Sequence, residues 1–127
     1  MIFKKRNLVI IVLILLCSCS LIGNGKSIDS MTPKEKALWM FTVYNAEYAD
    51  YMTTTGYIWD DVEKEWKKQK SPVLTEDQKK ILRSKKEALS AVYPLIKIYD
   101  SAVNKGDNPD GEVEKQIIDL LTNIQKL

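Results

Sequence analysis

The chain of 127 residues contains no histidine, and its two cysteines, Cys17 and Cys19, both stand at its N-terminal end. The commonest general base is therefore missing, and zinc or thiolate chemistry has no ligand set beyond the first residues. Acidic residues do gather at Asp60, Asp61, Glu63 and Glu65, but they read as a charged patch around an apolar stripe and not as a carboxylate pair for acid–base work. Gly25-Lys26-Ser27 echoes the end of a phosphate-binding loop, yet Ser20 occupies the position where that loop needs its first glycine, and no strand precedes it. An enzyme is not expected, and no cofactor or metal is implied. Long apolar runs are scarce as well: Leu8–Leu16 gives nine residues without a polar side chain, and a helix that crosses a bilayer needs about 20.

That run does have a setting. Lys4, Lys5 and Arg6 precede it, and Ser18, Ser20, Gly23, Asn24 and Gly25 follow, which is the three-part pattern of a secretory signal. At its end, Leu16-Cys17-Ser18-Cys19 resembles the lipobox of bacterial lipoproteins, in which a leucine and two small residues precede the acylated cysteine. The resemblance implies a signal peptide over residues 1–18 and lipidation of Cys19. Acylation at Cys17 would put Leu15 and Leu16 in the two small positions, a poor fit. A Cys17–Cys19 disulfide would close too small a ring to help a fold, and neither cysteine has another partner. Each buried methylene of the lipid contributes about 0.8 kcal/mol, so several acyl chains hold a protein firmly on a surface. The resemblance places the protein on the outer face of the plasma membrane. Where a second membrane exists, Ser20 in place of Asp points to the outer membrane, facing the periplasm.

Removing residues 1–18 deletes three cations and no acids, leaving 16 Lys+Arg against 17 Asp+Glu and a formal charge of −1. No basic excess survives to argue for nucleic acid. Residues 19–31 are small, polar and glycine-containing, as in a flexible tether. Residues 32–127 are long enough for one domain with one core.

Three helix starts are written in this domain. Thr32-Pro33-Lys34-Glu35 and Thr75-Glu76-Asp77-Gln78 are capping boxes, and Asn108-Pro109 is a cap followed by proline. At 100° per residue, Ala37, Phe41, Tyr44, Tyr48, Tyr51, Met52, Thr55, Ile58, Trp59, Val62 and Trp66 fall within about 60° of one line. The stripe keeps phase past Gly56, which predicts a single helix from Thr32 to Gln69, about 55 Å long. A second stripe, Ile81, Leu82, Lys85, Leu89, Val92, Tyr93, Ile96, Tyr99 and Val103, keeps phase across Pro94 and predicts a continuous helix from Glu76 to Lys105. Lys85 on that stripe reads as a snorkelling side chain. Gly106 ends the helix, and Val113, Ile117, Leu120, Leu121, Ile124 and Leu127 predict a third from Pro109 to Gln125.

The expected fold is all-α: a long antiparallel helical hairpin with a shorter third helix packed on its base, a three-helix bundle. Such a third helix would leave the far end as a two-helix arm carrying Trp59, Val62 and Trp66, with Lys67 and Lys68 beside them. An exposed apolar patch rimmed by charge marks a contact site. Trp39, Val43 and Tyr57 lie off the main stripe, either covered by the third helix or facing a partner. The residues picked for partner binding are thus Trp39, Tyr57, Trp59, Val62, Trp66, Lys67 and Lys68. The functional expectation is a non-catalytic binding or accessory module, held to the membrane by its N-terminal lipid and docking an envelope protein. The alternative is a structural or membrane-contacting protein that forms a homo-oligomer through the hairpin. The stretch Tyr93–Asp100 and the tyrosine-rich first helix resemble small helical proteins of bacteria and prophages, a resemblance that names no activity.

Overall fold

The computed structural model describes residues 27–127, so Cys19, the expected signal peptide and most of the expected tether lie outside the described residues. The described residues form three α-helices and one two-stranded antiparallel sheet: α1 (Pro33–Thr54), β1 (Tyr57–Asp60), β2 (Glu65–Lys68), α2 (Glu76–Asn104) and α3 (Gly111–Gln125). The chain divides into two units between Lys36 and Ala37, the second being Ala37–Leu127. In the first, a 3-10 turn at Ile28–Ser30 precedes the start of α1. There the capping box forms as read: the Glu35 N–H donates to Thr32 Oγ1 and the Thr32 N–H to Glu35 Oε2, each at 3.2 Å.

In the second unit, Ala37, Met40 and Val43 of α1, Leu89, Val92, Ile96 and Tyr99 of α2, and Ile117, Leu121 and Ile124 of α3 form one buried cluster. The spacings of three and four residues put each set on one helix face. Each fully buried aliphatic side chain contributes about 1.5–3 kcal/mol over its exposed state. On α1 the buried line is Ala37-Met40-Val43, not the tyrosine stripe, whose Tyr44, Tyr48 and Tyr51 pack on the cluster while remaining half-buried. Val43 thus enters the core and Trp39 lies against it, while Ile98 stays exposed.

The second helix matches its reading. Thr75 and Gln78 exchange their capping bonds, the helix continues through the exposed Pro94, and Gly106 turns the chain at φ +76°. The third helix starts two residues later than its proline suggested, because the Asp110 carboxylate, and not Asn108, accepts the Glu112 N–H at 2.8 Å.

The first helix is the correction. It ends at Thr54, and residues 57–68 form a β-hairpin where a helical arm was expected. Gly56 takes φ +94°, the left-handed region that a side chain resists, and a β-carbon there would overlap the Lys70 carbonyl. Its own carbonyl accepts the Gln69 N–H at 2.9 Å and the Lys70 N–H at 3.4 Å, closing the base of the hairpin. Thr55 Oγ1 bonds the Tyr51 and Met52 carbonyls, each at 3.0 Å, and so satisfies acceptors that the ended helix leaves open. The strands pair Tyr57 with Lys68, Ile58 with Lys67, Trp59 with Trp66 and Asp60 with Glu65.

Candidate functional site

The turn of the hairpin is organised by Asp60. Its carboxylate accepts the N–H groups of Val62 at 2.8 Å and Glu63 at 3.0 Å, and Lys64 completes the turn at φ +57°. Lys67 reaches Asp60 at 3.0 Å and Glu63 at 2.9 Å. The Glu63 N–H, then the Lys67 ammonium and the Val62 N–H, hold the Asp60 carboxyl below its usual range. Glu63 is lowered in the same way, chiefly by Lys67, whose own pKa rises. The acidic patch of the sequence therefore builds a turn, and the charge of Lys67 is matched within the hairpin.

On the face opposite Lys67, the Trp59 and Trp66 rings meet edge to face, with centroids 5.5 Å apart. Trp66 in turn meets Tyr48 of α1 at 6.3 Å, Tyr48 stacks with Tyr44 at 5.9 Å, and Tyr44 stacks with Tyr93 of α2 at 5.0 Å. Five aromatic rings thus run in one series from the hairpin across α1 to α2. The Lys97 ammonium lies over the Tyr93 ring at 4.9 Å, and Lys68 over Tyr57 at 5.5 Å.

Beside this series lies an open groove of about 490 Å³, lined by Tyr44, Tyr48, Tyr51 and Met52 of α1 and by Lys86, Leu89, Ser90 and Tyr93 of α2. That volume falls in the range of ligand sites. The lining residues supply aromatic and apolar side chains, hydroxyls and one ammonium, and no carboxylate or carboxamide. None of its four phenol hydroxyls is hydrogen-bonded among the described residues, whereas the buried Tyr99 hydroxyl donates to Glu114 at 2.9 Å. Burial, followed by Tyr48 and Tyr93, raises the pKa of Tyr44, so the phenol stays protonated at neutral pH.

The structure brings Trp59 and Trp66 together and sets Lys68 on Tyr57. Val62 projects from the turn at 91% exposure between Asp61 and Glu63, and Trp39 packs against the core elsewhere. Trp59 Nε1 donates to Asp61 at 2.9 Å. Sequence reasoning missed the groove. Its signal was present in Tyr44, Tyr48 and Tyr51 at helical spacing, read there as seam.

Lys85, the one buried charged residue among the described residues, bonds Glu47 and Asp50, each at 2.7 Å. Burial acts to lower its pKa and is the largest single influence, but the two carboxylates together outweigh it and the net shift is upward. Among the described residues, no three histidine, cysteine or acidic side chains are placed to hold a metal ion, and no helix is long and apolar enough to cross a membrane. No family model, curated protein or solved structure matches the chain.

Proposed function

We propose that this protein is a lipid-anchored, non-catalytic binding module of the bacterial cell envelope, acylated at Cys19 and docking a partner protein along the groove between α1 and α2. The observation that carries this reading is the open aromatic groove whose four phenol hydroxyls have no hydrogen-bond partner among the described residues. Tyrosine and tryptophan give large contact area at low conformational cost, and binding hot spots concentrate in them. Trp59 and Trp66 extend the surface onto the hairpin, with Tyr57, Lys68 and Val62 at its margin.

The helices support a finer reading of the scaffold as an antiparallel hairpin of α1 and α2 with α3 laid along it. Tyr44 meets Tyr93 while Asp50 meets Lys85, so rising numbers on α1 meet falling numbers on α2. Tyr99 meets Glu114, and Leu127 shares a cleft with Ile81, Leu82 and Lys85.

Site-specific photocrosslinking of the full chain in its native membranes tests the function. A photoreactive residue at Tyr48 or Trp59 should give a discrete adduct with an envelope protein, and one at Ile98 should not. Absence of any adduct at both groove-side positions sinks the docking reading.

A further inference from the structure

We propose that the groove takes an extended, proline-containing peptide that carries acidic residues, with proline rings on the tyrosine faces and a carboxylate at Lys86. The inference rests on the binding-module reading and names its ligand. Three features of the groove select it.

The first is hydrogen-bond sense. A proline-rich segment in the polyproline II conformation offers carbonyl acceptors and apolar rings, and its prolines have no N–H to satisfy. The groove offers the complement: the hydroxyls of Tyr44, Tyr48, Tyr51 and Tyr93 can donate, and their faces are apolar. A sugar chain is matched less well: its hydroxyl protons would have the phenol and Ser90 oxygens alone to accept them, with no carboxylate or carboxamide side chain in the lining.

The second is length. Tyr44 to Tyr51 covers about 10 Å of helix axis, and one turn of a polyproline II segment, three residues, covers about 9 Å. Proline-rich ligands dock in aromatic-lined grooves because the extended conformer is preformed and little entropy is lost.

The third is charge. Lys86 lines the groove with no ion-pair partner among the described residues, and Lys97 stands at the Tyr93 end. Glu47 and Asp50, acids of the neighbouring α1 face, share Lys85 and so leave one negative charge against the two cations Lys86 and Lys97. An acidic ligand is therefore favoured over a basic one.

The test uses the full acylated chain in detergent micelles. The probe is a ten-residue peptide of Pro-x-x-Pro repeats ending in two glutamates, and its control has alanine at each proline. Tryptophan emission should report binding, since Trp66 touches Tyr48. The proposal expects saturable binding of the proline peptide that weakens with salt, and no binding of the alanine control. Tyr48→Ala should weaken binding about tenfold or more, the scale of a truncated aromatic hot spot. Lys86→Gln, at an exposed position where folding is not at stake, should weaken binding and flatten its salt dependence. Ile98→Ser should change nothing. Equal binding of both peptides, indifference to Lys86→Gln, or occupation of the groove by a glycan oligomer or a second copy of this chain would each overturn the proposal. Failure of the peptide while Tyr48 still crosslinks to an envelope protein removes the ligand class and leaves the binding module standing; failure of both removes both.

Discussion

Replacing Gly56 by alanine has opposite consequences in the two conformations that residues 55–69 could adopt, so its sign is decisive. Within a continuous helix, alanine would stabilise the protein by about 1 kcal/mol relative to glycine. At the observed φ of +94°, alanine enters the left-handed region at a cost of about 1–2 kcal/mol. It also drives a β-carbon into the Lys70 carbonyl, which displaces the strand end whose two N–H groups bond the Gly56 carbonyl. Those bonds are worth about 0.5–1.5 kcal/mol each, so with the backbone strain the expected loss is about 2–5 kcal/mol. For a domain of this size, each kcal/mol moves Tm by about 4–8 °C. The assay is thermal unfolding followed by circular dichroism, where the edge-to-face Trp59–Trp66 pair should give an exciton couplet that weakens in Gly56→Ala. A higher Tm for Gly56→Ala, with no Trp59–Trp66 couplet in either protein, would refute the hairpin and restore the long helix.

Three further predictions test the hairpin, the core and the anchor. The Asp60 carboxyl is lowered in the folded state, so its contribution to the turn is present above its ordinary value of 3.8 and is lost as the pH falls through the lower folded value. The tryptophan couplet should therefore hold at mildly acid pH and fade below it, and in Asp60→Ala it should be weak at every pH. Tyr99 is raised by burial and by Glu114, so its contribution is full below 10.0 and is lost as the pH climbs through the higher folded value. Tyr99→Phe should lower stability by about 1.5 kcal/mol at neutral pH and blunt the alkaline fall in urea denaturation; a parent-like alkaline fall would contradict that role. Cys19→Ser should abolish fatty-acid labelling and leave the chain out of the membrane fraction, whereas labelling that persists would sink the lipobox reading.

The fold was legible where local chemistry and periodicity agreed. Around α2, the Thr75–Gln78 box, an unbroken stripe and Gly106 all mark the same element, and Pro94 falls on the exposed side where its missing bond is cheap. Around Gly56 they disagreed. Ile58, Trp59, Val62 and Trp66 fit a helical period by count, but Tyr57, Trp59, Trp66 and Lys68 also fit an alternation, and four residues are too short a run for periodicity to separate strand from helix. The deciding signals were the glycine after three threonines and the Asp60 turn, both local and both readable as helix surface. The N-terminal reading rests on the sequence of residues 4–25 and is tested by the labelling experiment.

The groove escaped notice for a related reason. A stripe of Tyr44, Tyr48 and Tyr51 scores as apolar, yet each phenol carries a hydroxyl that must find a partner or water when covered. Tyr99 shows what the fold does with a tyrosine it buries: the ring is 1% exposed and the hydroxyl is given Glu114. The groove tyrosines receive no such partner, so full burial would strand their hydroxyls, and they stop half-way with one face on the core and the oxygen at the surface. The buried line of α1 moves instead to Met40 and Val43, residues with nothing to satisfy. The resulting surface is apolar enough to release water on contact and polar enough to set the direction of what it contacts, which is the combination that a docking groove requires.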